Sequence, residues 1–200
     1  NIIAVKEVAV SREQVVKTMK SFIGETCQMP PMHSAIRMGG KRLYEIAREG
    51  RSIERKPRKI VIHSIEVVSM DKTKVLFDVT CSKGTYVRTL CADIGDSLGC
   101  GAHMSFLIRK RIGIFCIDAA FTLEEILKAS KTGQIMRLLS NTDIVFNNFK
   151  SFHLNSPDEQ EFKNGRFIPI NMEKNDFYDG FKVKVYNKRN EFLAIGEITT

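Results

Sequence analysis

The clearest pattern along the chain is an alternation of apolar and polar residues between Lys74 and Ser82. A period of two predicts a β-strand with one buried face. The residues that would form this buried face are Val75, Phe77, Val79 and Cys81. A similar run over residues 59–68 predicts a second strand, joined to the first near Asp71 and Lys72.

A turn and a helix follow this strand. Lys83 and Gly84 interrupt the alternation, and Thr85 stands where it can cap the next helix. Arg88 lies off the apolar stripe of that helix, and a guanidinium in the first turn opposes the helix dipole. We therefore expect Arg88 to serve another partner, although spacing alone fits a solvated surface turn equally well. The stripe consists of Val87, Leu90, Cys91, Ile94 and Leu98.

Further elements are predicted on both sides of this unit. A helix is expected over residues 11–23, because Ser11 and Gln14 have the spacing of a capping box. Residues 104–115 alternate like a third strand, which would share the core and place Leu107 on one face with Arg109 and Arg111.

The remainder of the chain predicts a second, smaller domain. Residues 122–130 resemble a capped helix, and the polar stretch after residue 139 suggests a domain boundary between residues 145 and 146. Beyond it, a short helix begins at Ser156, and residues 182–186 and 192–198 alternate like a hairpin.

Composition narrows the possible functions. The 200 residues are 43% hydrophobic, and no apolar run reaches the length of a membrane span. The five cysteines form no Cys-x-x-Cys pair and indicate reduced core thiols of a cytoplasmic protein. The four histidines are scattered, so we expect no metal site.

Positive charge is concentrated in one segment. The chain carries a net charge of +8, and residues 37–59 contain nine basic residues against three acidic ones. Gly39 and Gly40 interrupt this segment, and a short helix ending at Gly50 follows. A protruding basic element of this kind is suited to lie along phosphates, although a charged run is also typical of a solvated face.

The run Ser82-Lys83-Gly84-Thr85-Tyr86-Val87-Arg88-Thr89 resembles the third conserved block of the TruB-type tRNA pseudouridine synthases. The similarity extends forward through residues 93–115 and backward to residues 28–50, in the same order as in the family. These blocks include Gln28-Met29-Pro30-Pro31 and Gly40-Lys41-Arg42-Leu43-Tyr44-Glu45. The resemblance covers residues 11 to about 125.

The resemblance implies a fold and a reaction. The fold is α+β, with a mixed, mainly antiparallel sheet and flanking helices in residues 1–145. Separately, residues 146–200 resemble, more weakly, a small PUA-like β-barrel, on the basis of Asn164-Gly165 and Phe192-Leu193-Ala194-Ile195-Gly196-Glu197. The reaction is the isomerisation of uridine 55 in the TΨC arm of tRNA to pseudouridine, by base flipping and without a cofactor or metal. The partner is tRNA, no membrane is involved, and the protein is expected to be a monomer.

The resemblance also assigns roles to individual residues. Tyr86 is expected to stack on the flipped base, Arg88 to pair with the catalytic aspartate, and Leu107 to complete the apolar wall. The basic insertion, residues 28–59, is expected to grip the RNA. The residues predicted to bind RNA are Arg37, Lys41, Arg42, Arg48, Arg51, Arg109 and Arg111.

The chain departs from the family in one decisive respect. The catalytic aspartate of the family lies in a Gly-Thr-Leu-Asp motif ahead of the segment that begins here, and no aspartate of this chain has that context. The chain is therefore expected to be an inactive C-terminal fragment. The alternative is a non-catalytic RNA-binding module or RNA chaperone.

Smaller departures lie in the RNA-facing segments. His33 stands where the family more often has tyrosine, Arg37 where lysine is usual, and Ile108 where arginine is frequent. These differences affect the details of RNA contact and leave the expected roles of Tyr86, Arg88 and Leu107 unchanged.

Overall fold

The computed structural model describes residues 6–170 and 177–199. Residues 1–5, 171–176 and Thr200 of the two predicted domains lie outside this description. The α-helices are α1 (Arg12–Ser21), α2 (Leu43–Arg48), α3 (Val87–Ser97), α4 (Leu123–Lys131) and α5 (Ser156–Lys163). The strands are β1 (Gly24–Gln28), β2 (Arg37–Met38), β3 (Lys41–Arg42), β4 (Arg58–Asp71), β5 (Lys74–Cys81), β6 (Arg111–Ile112), β7 (Phe115–Cys116), β8 (Lys150–His153), β9 (Lys182–Tyr186) and β10 (Phe192–Glu197).

The chain divides into two compact units, Asn1–Ile108 and Arg109–Thr200. This division lies ahead of the predicted boundary between residues 145 and 146, which remains a prediction. The α+β class with mainly antiparallel sheets is confirmed.

The first unit is built on an antiparallel sheet in the order β1-β4-β5. The predicted strands β4 and β5 and the helices α1 and α3 are confirmed, whereas β1 was not predicted. Ser11 caps α1 in a capping box with Gln14, as expected. The helices pack their apolar faces against the sheet and bury a common core. That core contains Val15, Met19, Ile60, Ile62, Ile65, Leu90 and Ile94.

Glycine is required where α3 meets the chain that follows it. A Cβ atom on Gly95 would lie 2.0 Å from the backbone nitrogen of Ala102. The carbonyl oxygen of Gly95 also accepts a hydrogen bond from the N–H of Gly101, over 2.9 Å. This close approach fixes the turn after α3 against the helix itself.

The prediction of a third strand over residues 104–115 is wrong. Residues 101–110 have no regular secondary structure, and only β6 and β7 pair, as a two-stranded hairpin. Alternation creates an amphipathic segment, but a strand also requires a neighbour that accepts its backbone hydrogen bonds. No described strand pairs with residues 104–110, and Phe106 and Leu107 are 65% and 52% exposed.

The second unit contains a three-stranded sheet in the order β10-β9-β8. The predicted hairpin of β9 and β10 is confirmed, and β8 adds to β9 in parallel. Asn187 shapes the hairpin turn, because its Oδ1 accepts the N–H groups of Arg189 and Glu191, each over 2.9 Å. The predicted helices α4 and α5 are also present, capped by Thr122 and Asn155.

The expected PUA-like barrel is not closed in the part of the second unit that the structure describes. Its small core contains Leu154, Val183, Val185 and Ile198, of which the two valines lie on β9. The assignment of residues 146–200 to a PUA-like domain therefore remains a prediction.

Candidate functional site

The turn after β5 brings the chain from the sheet to the start of α3. The N–H of Ser82 donates to the carbonyl oxygen of Val61 over 2.8 Å, and Ser82 Oγ accepts the N–H of Val61 over 2.9 Å. Gly84 adopts a φ of +85°, which favours glycine. The turn is therefore bound to β4 on one side and leads directly into the helix on the other.

Thr85 does not cap α3, in contrast to the prediction. Its hydroxyl donates to the carbonyl oxygen of Ser82 over 2.9 Å and closes the turn. The cap residue is Tyr86, whose side chain makes no capping hydrogen bond. Thr85 thus lies one position before the cap residue, and its hydroxyl is already hydrogen-bonded within the turn.

Gln28 binds the main chain of the cap residue Tyr86. Its Oε1 accepts the N–H of Tyr86 over 2.8 Å, and its Nε2 donates to the carbonyl oxygen of Tyr86 over 3.1 Å. Gln28 is 4% exposed and ends β1, whereas Tyr86 is half-buried. The main chain of the predicted base-stacking residue is therefore held from a neighbouring strand.

Arg88 lies on the exposed side of α3, away from the buried Leu90 and Ile94, as its position off the stripe predicted. Its Nη2 donates to the carbonyl oxygen of His33 over 3.3 Å. This contact connects the first turn of α3 with the segment that follows Gln28.

The segment from Met29 to Ile36 runs between the sheet and the basic element. Arg55 Nη1 donates to the carbonyl oxygen of Pro30 over 2.8 Å. The carbonyl oxygen of Ser34 accepts the N–H of Tyr44 over 3.1 Å, and that of Ile36 accepts the N–H of Leu43 over 2.8 Å. The start of α3 and the basic element are consequently attached to the same short segment.

The predicted basic element is the hairpin of β2 and β3 followed by α2. Leu43 and Ile46 are buried and anchor the helix. The guanidinium groups of Arg42 and Arg48 lie 5.9 and 5.4 Å from the centroid of the Tyr44 ring. A cation is attracted to the face of an aromatic ring, so these two contacts restrain the position of the Tyr44 ring. The short predicted helix is therefore confirmed. Arg42 and Arg48 are held beside the Tyr44 ring.

Acidic residues balance part of this charge. Glu49 forms ion pairs with Lys41, over 3.0 Å, and with Arg51. Hydrogen bonds from Arg51 and Lys41 hold the pKa of Glu49 below its usual range. The backbone N–H of Arg42 lowers the pKa of Glu45 in the same way. Two of the predicted RNA-binding residues, Lys41 and Arg51, are thus held side by side by one exposed carboxylate.

Leu107, Arg109 and Arg111 do not lie on one strand face, in contrast to the prediction. Leu107 is half-exposed in an irregular segment of the first unit, and Arg109 and Arg111 are exposed in the second. Their roles in binding base and RNA stay predictions.

A cavity of about 230 Å³ lies beside Gln28. Its lining includes the buried Ile60, Ile62 and Leu90 and the acidic Asp93. Burial, together with the nearby Asp96, raises the pKa of the Asp93 carboxyl. Gln28 is therefore one of the residues that line this cavity, while its amide binds the Tyr86 main chain.

Metal ligands and membrane spans are both absent from the described parts of the chain. Within residues 6–170 and 177–199, no three His, Cys, Asp or Glu side chains are grouped so that they could hold a metal ion. In those ranges no helix is both long and apolar enough to cross a membrane. All five cysteines are free thiols, as predicted, but none is a fully buried core residue, since Cys27 is exposed and the other four are partly buried.

Two family models match consecutive parts of the chain. Residues 1–87 match the TruB family pseudouridylate synthase N-terminal domain, and residues 88–145 match the tRNA pseudouridylate synthase B C-terminal domain. The chain is 37% identical over 198 residues to tRNA pseudouridine synthase B of Clostridium acetobutylicum, and the match covers 99% of this chain and 67% of that protein. The chain belongs to the TruB family of pseudouridine synthases.

Other relatives agree with this assignment. The protein of the same name from Alkaliphilus oremlandii is 40% identical over 197 residues, a match that covers 98% of this chain and 64% of that protein. The one from Ralstonia nicotianae is 38% identical, with 95% of this chain and 60% of that protein covered. This TruB chain therefore spans between 60% and 67% of the length of these three relatives.

Solved structures share the fold at lower identity. One chain of a Cbf5-Nop10-Gar1 complex matches with a TM-score of 0.69 and 22% identity, covering 98% of this chain and 58% of that chain. A chain of an H/ACA RNP bound to a substrate RNA containing 2′-deoxyuridine matches with a TM-score of 0.67 and 21% identity, covering 96% and 55%. At this identity the likeness supports the fold alone.

Sequence reasoning missed three contributors to the site. The sequence pattern places Gln28 only within a block shared with the family, and it predicts no role for Tyr44 or Glu49. A glutamine at the end of an apolar strand gives no sign of the distant main chain that it contacts. The spacing of Tyr44 and Arg48 was a usable signal, since i,i+4 neighbours meet on one face of a helix.

Proposed function

We propose that the protein containing this chain isomerises uridine 55 in the TΨC arm of tRNA to pseudouridine. The observation that carries the proposal is the start of α3, where the Ser82–Thr89 block presents Tyr86 and Arg88 from a turn held by Gln28. The relatives named tRNA pseudouridine synthase B support the same reaction. We propose that the protein acts in the cytoplasm, where its substrate would be.

The reaction requires that the uridine leaves the stacked arm. Extruding a base costs roughly a few kcal/mol, which stacking and edge contacts in the site must offset. Tyr86 supplies an aromatic face for the base, and Leu107 an apolar contact. The glycosidic bond then breaks, and the base turns and reattaches through carbon, so that no atom is gained or lost.

Arg88 is proposed to serve the catalytic aspartate of the family's Gly-Thr-Leu-Asp motif. A guanidinium binds a carboxylate through two parallel N–H groups, which fixes the direction of the carboxylate oxygens. Its positive charge also lowers the pKa of the carboxyl, so that the carboxylate form dominates at neutral pH. No aspartate of these 200 residues lies in that motif, and we therefore propose that the chain by itself does not catalyse the reaction.

RNA binding is proposed for the basic element. Arg37, Lys41, Arg42, Arg48 and Arg51 lie on β2, β3, α2 and the residues that follow, where they can neutralise phosphates. Arg109 and Arg111 of the second unit are also proposed to bind RNA, as is the PUA-like part. We propose a monomer that needs neither metal nor cofactor.

The test uses the protein expressed from its complete reading frame and an unmodified tRNA transcript. We expect pseudouridine at position 55 and none in a transcript with cytidine at that position. The 200-residue chain should bind the same transcript without product. Binding by the complete protein with no pseudouridine would favour the alternative, a non-catalytic RNA-binding module, for which the exposed arginines of the basic element already provide a surface.

A further inference from the structure

Gln28 makes an unusual long-range contact. Both polar atoms of its side-chain amide bind the main chain of one residue, Tyr86, which lies 58 positions later. Because Gln28 is only 4% exposed, solvent does not compete for these hydrogen bonds. One buried glutamine thus satisfies the N–H and the carbonyl group on both sides of a single Cα atom.

This geometry fixes the direction of the Tyr86 side chain. The N–H group belongs to the peptide before the Cα atom and the carbonyl to the peptide after it, so two bonds restrain both planes. Tyr86 has φ −99° and ψ 101°, outside the helical region, and its carbonyl oxygen also accepts the N–H of Leu90 over 3.0 Å. With both planes held, the ring moves only through its own side-chain torsions.

The restraint is rigid because Gln28 is itself held in the sheet. Gln28 pairs with Arg58 in the β1–β4 ladder, and β4 pairs with β5 up to Cys81, just before the turn. The chain that leaves Gln28 returns to α3 at His33, whose carbonyl oxygen accepts the Arg88 guanidinium. Tyr86 and Arg88 are thereby attached to the same strand end and its continuation.

We propose that Gln28 is a positioning residue for the pseudouridine synthase reaction. Its amide holds the Tyr86 main chain so that the ring meets the flipped uridine and Arg88, in the first turn of α3, is correctly directed. This inference rests on the proposed function. Only an uncharged amide fulfils the role, since Gln28 must donate at one atom and accept at the other.

Three variants of the complete protein test this role. Gln28→Met keeps the length of the side chain and removes both hydrogen bonds. Gln28→Glu replaces the donor with a carboxylate oxygen, and protonation restores a donor. Ser11→Ala is the matched control, because it removes the α1 cap in the same unit and leaves Tyr86 untouched.

We expect Gln28→Met to lower the single-turnover rate at saturating tRNA by roughly 10- to 100-fold, since small misplacements of reacting groups have effects of this size. The tRNA dissociation constant should change by less than about threefold. The rate of Gln28→Glu, divided by the rate of the unsubstituted protein at the same pH, should rise as the pH falls from 8 to 5.5. Burial raises the pKa of a carboxyl, and the protonated side chain regains the hydrogen-bond donor. Ser11→Ala should lower the melting temperature and leave the rate unchanged.

A second readout does not depend on activity. In the chain labelled with 3-fluorotyrosine, one ¹⁹F resonance belongs to Tyr86 and is assigned by its loss in Tyr86→Phe. Gln28→Met should shift or broaden that resonance and leave those of Tyr44, Tyr178 and Tyr186 in place.

The outcomes separate the possible failures. An unchanged Tyr86 resonance, an unchanged rate, or an equal rate loss in Ser11→Ala would overturn the positioning role. If the unsubstituted complete protein makes no pseudouridine, the proposed function fails. In that case, a shifted Tyr86 resonance in Gln28→Met would show that Gln28 holds Tyr86 only as part of the fold. The positioning role in catalysis would then be overturned as well.

Discussion

Arg88 Nη2 donates a hydrogen bond to the main-chain carbonyl oxygen of His33, 3.3 Å away. The contact uses one of the five N–H donors of the guanidinium, so most of its hydrogen-bonding capacity is left for another group. A carbonyl partner also holds the side chain without neutralising its charge. Arg88 is therefore oriented and still cationic, which is the state that a carboxylate partner requires.

The first prediction concerns this guanidinium in the complete protein. Arg88→Lys keeps the charge and loses the planar fork needed for a two-point grip on a carboxylate. We expect the single-turnover rate to fall at least tenfold at saturating tRNA, with little change in the dissociation constant. Arg88→Ala should be at least as damaging. A lysine variant of near-normal rate, with an alanine variant that loses mainly binding, would instead assign Arg88 to a phosphate contact.

The second prediction concerns the basic element. Lys41→Glu combined with Arg42→Glu should weaken RNA binding by the 200-residue chain, because two charges proposed to neutralise phosphates are reversed. The slope of log affinity against log salt should flatten by roughly 0.7 to 0.9 for each phosphate that is no longer neutralised. The matched control is Lys72→Glu with Lys74→Glu, which makes the same charge change at the β4–β5 turn. Equal weakening in the control would mean that net charge, and no local surface, determines the affinity.

The third prediction concerns the close approach at Gly95. Glycine-to-alanine changes inside helices ordinarily stabilise them by about 0.5–1 kcal/mol. Here the added Cβ would meet the backbone of Ala102 at 2.0 Å, so the turn must move. We expect Gly95→Ala to lower the free energy of unfolding by about 1–3 kcal/mol or more, as measured by urea denaturation. Ser97→Ala, at an exposed position of the same helix, should stay within about 0.5 kcal/mol of the unsubstituted chain.

The fourth prediction concerns acid stability. Hydrogen bonds from the N–H and hydroxyl of Thr122 lower the pKa of Glu125 below 4.5, and those from Arg51 and Lys41 do the same for Glu49. Between the folded pKa and the unfolded one, the unfolded chain binds more protons, so stability rises with pH there. The stabilisation is complete above about pH 4.5 and is lost as the pH falls through the lowered pKa values.

Circular dichroism melting curves between pH 3 and 7 test this dependence. The melting temperature should fall on acidification below about pH 4.5. Glu125→Gln should make the acid slope shallower, because glutamine at the same cap position does not titrate. A slope unchanged by this substitution would assign the acid sensitivity to other carboxyl groups.

Local pattern predicted most of the secondary structure. The capping box of Ser11 and Gln14, the strands β4 and β5, the apolar stripe of α3 and the hairpin of β9 and β10 are all present. Each of them depends on residues close together in sequence, whose periodicity and caps select one local conformation. The family blocks likewise located Tyr86 and Arg88 without any knowledge of their surroundings.

Local pattern failed in two places, at the predicted third strand and at the cap of α3. Residues 104–110 alternate like a strand, yet no described strand pairs with them, and Leu107 remains half-exposed. Thr85 has the right chemistry for a cap, yet its hydroxyl binds Ser82 inside the turn. A side chain that could form several hydrogen bonds forms the one whose partner is within reach in the folded chain.

The sequence by itself determined the family, the order of most elements, the concentration of positive charge and the residue types at the start of α3. These properties follow from composition and short-range spacing. Only the tertiary structure decided that Gln28 holds Tyr86, that His33 orients Arg88, and that Glu49 joins Lys41 to Arg51. The first two contacts link residues 58 and 55 positions apart, and such pairs form only after the sheet has brought the strand ends together.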